Sequence, residues 1–166
     1  MRWMTLPLLA LLACADPVKS AEQQALGPED PSVPRGENHR PGQPCLVCHD
    51  DFAFAGTIYY EDLTTPFSGA TVTILDAAGN TFTGQSNSAG NFIIRKSGNP
   101  TPVFPVGAYT DDAGNAVIGV TVVGSDPNNP AQMITHIGRD GSCASCHQSS
   151  GPSASTPGPV YLAVSP

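Results

Sequence analysis

The chain has 166 residues, 13% of them charged, and a net charge of −7, which is one domain's length with room for one modest core. No basic run or basic patch with interleaved aromatics occurs, so the composition argues against nucleic acid as a partner. Seventeen Gly and seventeen Pro point away from long helices and toward short strands joined by turns.

In chain order, Arg2 provides a positive start to the apolar run at 4–13, MTLPLLALLA. That run is far short of the ~20 residues a membrane span needs, and residues 1–13 read as a secretory signal peptide. Leu11-Leu12-Ala13-Cys14 resembles the bacterial lipobox, which implies cleavage before Cys14 and lipidation of its thiol. Ala13-Cys14-Ala15 also satisfies the small-x-small rule for ordinary cleavage after Ala15. The lipoprotein reading leaves Cys14 with a use and places the protein on a membrane of the cell envelope, facing the periplasm or the cell surface, with the outer membrane favoured. Several acyl chains at one cysteine anchor firmly where one chain binds only marginally.

Residues 15–38 lack periodicity and carry four Pro and five acidic residues. Together with Cys14 they read as a flexible tether, 14–38. The segment 39–51 holds the first cysteine motif. From Phe52 short alternating runs follow: FAFAGTIYY (52–60), GATVTILDA (69–77), TFTGQS (81–86), NFIIRK (91–96), VFPVGAYT (103–110) and AVIGVTVVG (116–124). They are rich in Thr, Val, Ile, Phe and Tyr and predict six strands. Ala-Gly-Asn recurs at 78–80, 89–91 and 113–115, each copy reading as a hairpin turn. Pro105 marks its run as an edge strand or a bulge. The expected fold is all-β, a small antiparallel β-sandwich over 52–124 flanked by two loop-borne cysteine motifs. Residues 125–141 read as loop, 143–147 as the second motif, and VYLAV (160–164) as a closing strand within the 125–166 segment.

The stretch GTIYY…PFSGATVTILDAAGNT…GQSNSAGNFII, about 54–110, resembles the carboxypeptidase regulatory-like domain, a transthyretin-like β-sandwich. Gly56, Pro66, Gly69-Ala70 and Gly90-Asn91-Phe92 carry the likeness. The resemblance implies a spacer or binding module and names no chemistry.

Chemistry enters with CLVCH at 45–49 and CASCH at 143–147. Cys-x-x-Cys-His is the attachment signature of c-type haem. Two thiols three positions apart each bond one vinyl group on an edge of the porphyrin, and the next residue places its imidazole under the iron. Cys45, Cys48, Cys143 and Cys146 are the expected thioether donors, and His49 and His147 the proximal ligands. Two such motifs consume every cysteine after Cys14 and imply two covalently bound c-type haems. Redox disulfides would call for a thioredoxin-like setting, of which there is no sign. A zinc site built from the four thiols, or from two thiols and two imidazoles, is the other alternative.

The chain has four histidines. His39 lies six residues before Cys45, and His136 seven before Cys143. Two haems, two proximal histidines and two left over suggest bis-histidine ligation, with His39 and His136 distal. Ordinary loop histidines are the alternative, and Met133 competes for one distal place. Whether His39 serves its own haem or crosses to the other is open from spacing. Asp50 and Asp51 read as residues that solvate or cap the motif, or tune the haem potential. Phe52, Phe54, Tyr59 and Tyr60 read as core or haem packing.

The order NHRPGQPCLVCH, strands, MITHIGRDGSCASCH, GPVYL is similar to dihaem c-type lipoproteins of deltaproteobacterial type that enclose a carboxypeptidase regulatory-like domain. That resemblance implies an overall layout and no defined substrate. The residues read as those of an electron carrier working with redox partner proteins of the cell envelope, and the leftover histidine pair argues against an enzyme. Self-association is left open. The rivals are a dihaem peroxidase or reductase, which needs a displaceable axial ligand, and a structural or ligand-binding module with accessory haems. An even count of six strands returns the chain to its starting pole and predicts that both motifs share one end of the sandwich. AQMIT (131–135) as a seventh strand would separate them.

Lipidation at Cys14 is testable directly: Cys14→Ser is expected to abolish acyl labelling and release the protein from membranes. Unchanged membrane fractionation of that variant rules the lipid anchor out.

Overall fold

A computed structural model describes residues 16–33, 35–110, 113–137, 140–148, 157–164 and 166; the signal segment and Cys14 lie outside the described residues. Within them the chain is mostly β, with several antiparallel sheets and one helix. No helix among the described residues is long and apolar enough to cross a membrane.

The helix α1 (Pro17–Ala25) falls inside the segment expected to be a structureless tether, and corrects that expectation. Its start is set locally. Asp16 accepts from the backbone N–H of Val18 at 2.9 Å and Lys19 at 3.3 Å, and Pro17 opens the first turn, the residue types that helix N-termini favour. None of its residues is buried, so it has no apolar face to announce it by periodicity.

The strands are β1 (Phe52–Tyr59), β2 (Thr71–Leu75), β3 (Thr81–Gln85), β4 (Asn91–Arg95), β5 (Val106–Gly107), β6 (Tyr109–Thr110), β7 (Ala116–Val117), β8 (Val120–Val123), β9 (Ala131–Gln132), β10 (His136–Ile137) and β11 (Val160–Tyr161). One sheet has the order β11-β1-β4 and another β3-β2-β8-β9, while β5 pairs with β10 and β6 with β7. β2 shows why the alternating runs form strands. Val72 and Ile74 point inward, Thr73 meets Thr83 on one side and Thr121 on the other, and Ile74 faces Phe82 and Val120. β-Branched and aromatic cross-strand pairs of this kind stabilise a half-buried pleated surface.

The two larger sheets contribute to one hydrophobic core. Phe54 and Ile58 of β1 and Phe92 and Ile94 of β4 join Val72, Ile74, Phe82, Val120 and Val122 from the other sheet. The Phe54 and Phe82 rings meet edge to face at 5.1 Å between centroids, an arrangement worth ~0.5–1.5 kcal/mol beyond area burial.

Several expectations about the later strands are corrected. The fifth run splits into β5 and β6, and the sixth into β7 and β8. The break in the sixth falls at Gly119, whose N–H donates to the Gly107 carbonyl while its own carbonyl accepts from Leu75. The 125–141 stretch read as loop contains β9 and β10. β9 adds to β8, and β10 to β5. β11 runs parallel to β1, so the sheet it joins is not purely antiparallel. The Ala-Gly-Asn copies at 78–80 and 113–115 do close hairpins, β2–β3 and β6–β7. The copy at 89–91 instead carries the chain from one sheet to the other, because the Ile58 N–H donates to the Gly90 carbonyl and β4 then pairs with β1.

Asp76 is fully buried at the β2–β3 turn. It accepts hydrogen bonds from the N–H groups of Ala78, Asn80 and Val103 and from the Asn80 side chain, at 2.8–3.0 Å. Burial opposes its charge, but these donors outweigh it and hold the carboxyl below the ordinary carboxylate range. Its stabilising contribution is therefore complete above the unfolded value of ~3.9 and is lost as pH falls through the lower folded value. Asp76→Asn turns a donor toward donors and is expected to cost about 2–4 kcal/mol at pH 7. In urea denaturation the gap between variant and wild type should narrow at acid pH; a gap that widens there contradicts the assignment.

Candidate functional site

The two cysteine motifs, nearly a hundred residues apart in sequence, fold alike. Cys45–Val47 and Cys143–Ser145 each form a single 3₁₀ turn. In the first, the N–H groups of Cys48 and His49 both donate to the Cys45 carbonyl, at 3.1 and 3.0 Å. In the second, those of Cys146 and His147 donate to Cys143, at 3.2 and 2.8 Å. The first thiol of each pair is half-buried and points back to a carbonyl two residues earlier, Gln43 or Gly141. The second thiol is exposed, and all four are free.

Both turns lie against β1. Ala55 donates to the Gly141 carbonyl at 3.0 Å and bridges Ser142 in parallel register. Gly141 is required there: a Cβ on it would sit 2.1 Å from the Ala53 carbonyl oxygen. Cys143 packs beside Gly56. From the other motif, Gly42 donates to Thr57 Oγ1 at 2.7 Å. The two motifs thus meet on one strand even though 131–132 is a strand, so parity of the strand count is not what brings them together. Burial pushes the Cys143 thiol up to about 12, with the charges of nearby Cys45 and Asp140 adding to the effect. Burial also raises Cys45.

The first motif borders a cleft of about 500 Å³ whose walls include His39, Cys45, Cys48, His49, Phe52 and Arg95, a volume within the ~300–1,000 Å³ of cofactor sites. The His39 and His49 rings lie 5.7 Å apart between centroids at an interplanar angle of 63°, edge to face. Two imidazoles opposed on one metal, each about 2 Å from it through nitrogen, have ring centres roughly 6 Å apart. His49 stacks on Phe52 at 4.4 Å and 7°, and the Arg95 guanidinium lies over Phe52 at 5.0 Å. Asp51 pairs with Arg95, and Asp50 with Lys19 of α1. The Lys19 hydrogen bond and charge hold Asp50 below the ordinary carboxylate range. Gln23 of α1 donates to the Val47 carbonyl at 2.8 Å, so the helix is strapped to the motif by polar contacts.

His39 Nδ1 contacts the Gly36 carbonyl, and His147 Nδ1 the Gly158 carbonyl at 2.9 Å. Asp51 lies 3.9 Å from His49 Nδ1. An imidazole that gives its Nδ1–H to an oxygen keeps the Nε2 lone pair for a metal, the usual outer arrangement of ligating histidines.

The second motif is built less completely. His136 is exposed on β10 opposite Gly107, and Met133 is half-buried against the core. Among the described residues no ring contact joins His136 to His147. Ser142, beside Cys143, has a buried hydroxyl without a hydrogen-bond partner among the described residues. No three His, Cys, Asp or Glu among the described residues group as on one metal ion.

Reading the sequence missed Thr57, Asn91 and Arg95. By sequence Asn91 reads as a turn residue and Thr57 as part of a strand; only their pairing across β1 and β4 reveals a site-facing role. No protein-family model, curated protein or solved structure matches the chain.

Thiol accessibility gives a test on reduced protein made without haem maturation. Iodoacetamide should label Cys48 and Cys146 at least about tenfold faster than Cys143, since the thiolate is the nucleophile. Peptide mapping that finds Cys143 first would contradict the burial described.

Proposed function

We propose that the chain is an exported dihaem cytochrome c, lipid-anchored through Cys14, that passes single electrons between redox partner proteins of the cell envelope. The observation that carries the reading is the duplicate site: two Cys-x-x-Cys-His segments folded into the same turn on one strand. The fit is best at the first, where a cleft, two neighbouring imidazoles and a flat aromatic wall coincide. Cys45 and Cys48 would hold one haem by thioethers and Cys143 and Cys146 the other, with His49 and His147 proximal. His39 is the distal ligand of the first haem and His136 of the second, with Met133 as its competitor. Bound haem supplies the one-electron chemistry. The residues around it do the rest. Gly36 and Gly158 carbonyls orient imidazoles, Phe52 and Arg95 wall the first cleft, and the two larger sheets serve as a carboxypeptidase regulatory-like β-sandwich scaffold.

The exposed position of His136 favours a second reading, a dihaem enzyme with a displaceable ligand at the second iron. Expression with the c-haem maturation machinery tests both. The carrier reading expects a mass increase of two haems, low-spin reduced-minus-oxidised spectra and no carbon monoxide complex. Strong carbon monoxide binding by one haem would select the enzyme, and an unmodified mass would remove the haem reading altogether.

A further inference from the structure

The segment that carries His39 is tied to the sheet by a buried polar pair, besides the exposed ion pair between Glu37 and Arg95 of β4. Thr57 on β1 and Asn91 on β4 are direct cross-strand partners, each 5% exposed. Thr57 Oγ1 donates to Asn91 Oδ1 at 2.8 Å and accepts from Gly42 N–H at 2.7 Å. The Asn91 amide then donates to two carbonyls, Glu37 and His39 itself, both at 3.1 Å. Asn87 adds a third donor, to Glu37, at 2.8 Å. These contacts grip the chain before, at and after His39. The imidazole is fixed in turn by its Nδ1 contact to Gly36, one residue before the gripped Glu37. The segment is held further by the Arg40 side chain, which donates to the carbonyls of Leu26 and Gly27 beyond α1.

We infer that Thr57 and Asn91 are positioning residues for a distal ligand: they set His39 opposite His49 in the same cleft, so that His39 serves the haem of its own motif and does not cross to the other. The inference rests on the dihaem reading and adds to it the residues that enforce one ligand pairing. A buried hydroxyl and amide whose donors are all used, on each other and on a short loop, are poor choices for a strand interior unless the loop's position matters. Apolar residues of similar volume would fill the same space without a polar group that must be matched.

The test uses the full chain carrying both haems, counted by mass. Asn91→Asp turns a carboxylate oxygen toward the two carbonyls, and Thr57→Val removes both hydroxyl bonds while being the milder change for folding. In each variant one of the two haems is expected to turn from low-spin to high-spin and to bind carbon monoxide, with added imidazole restoring the low-spin spectrum. Thr57→Ser should behave as wild type. Ser86→Ala controls for lost stability alone. Ser86 is buried and bonds Ala70 N–H and the Phe67 carbonyl, so its loss should lower the melting temperature without moving either spin state. If wild type carries two low-spin haems and both site variants keep them, or if Ser86→Ala shifts the spin state as they do, the positioning role is overturned while the dihaem reading stands. A wild-type chain that takes up no haem overturns both.

Discussion

One strand organises this molecule. Every residue of Phe52–Tyr59 is buried, and its two faces and two edges have different tasks. Phe54 and Ile58 enter the core; the edges take β4 and β11. The register shift between Phe52 and Phe54 releases Phe52 from the core alternation, as a bulge does, and turns it to the cleft where it stacks with His49. Three consecutive residues then hold the two motifs. The Ala55 N–H bonds Gly141, Gly56 leaves room for the Cys143 side chain, and Thr57 holds Gly42. A side chain at Gly56 would have its Cβ 2.8 Å from that of Cys143 and 2.9 Å from Phe92, so the strand is narrow where the second motif leans on it.

The charges around the first motif work differently. Asp50, Asp51, Lys19 and Arg95 are solvent-facing to varying degrees, and exposed pairs of this kind contribute little stability. Their effect is orientation. Asp51 and Phe52 hold the Arg95 guanidinium from two sides, and the same carboxylate lies beside His49 Nδ1. α1 reaches the motif by Lys19 and Gln23 with no buried residue of its own, a contact that gives direction without much hold.

What could be read from the sequence divides along physical lines. The strands β1 to β4 were legible because each lies in an uninterrupted run rich in β-branched and aromatic residues with a turn signal at its ends. The fifth and sixth runs were legible as β but not as four short pieces, since their breaks come from tertiary hydrogen bonds between Gly107, Gly119 and Leu75 that no local pattern encodes. α1 was missed for lack of an apolar stripe, although Asp16-Pro17 was a start signal in plain view. At the site, the Cys-x-x-Cys-His spacing picked out the turn-forming residues because that constraint is local. The Thr57–Asn91 pair was invisible because it exists only across a register. His39 and His136 looked equivalent by spacing, and the structure separates them: one lies beside His49 in a cleft, the other sits exposed on a two-residue strand.

The meeting of two distant motifs has an energetic consequence. Closing a loop of ~100 residues costs roughly 4 kcal/mol beyond its constant term. Burial of Phe54 and Ile58 alone, at ~1.5–3 kcal/mol each, is of the same size as that term. On the proposed reading each haem is bonded within its own segment, by two thiols and a histidine only a few residues apart. Such attachment restrains each turn but does not tie one turn to the other. On that reading the spacing between the two irons would be a property of β1 and of the core behind it, and Thr57 and Asn91 would couple the same sheet to the ligation of the first iron.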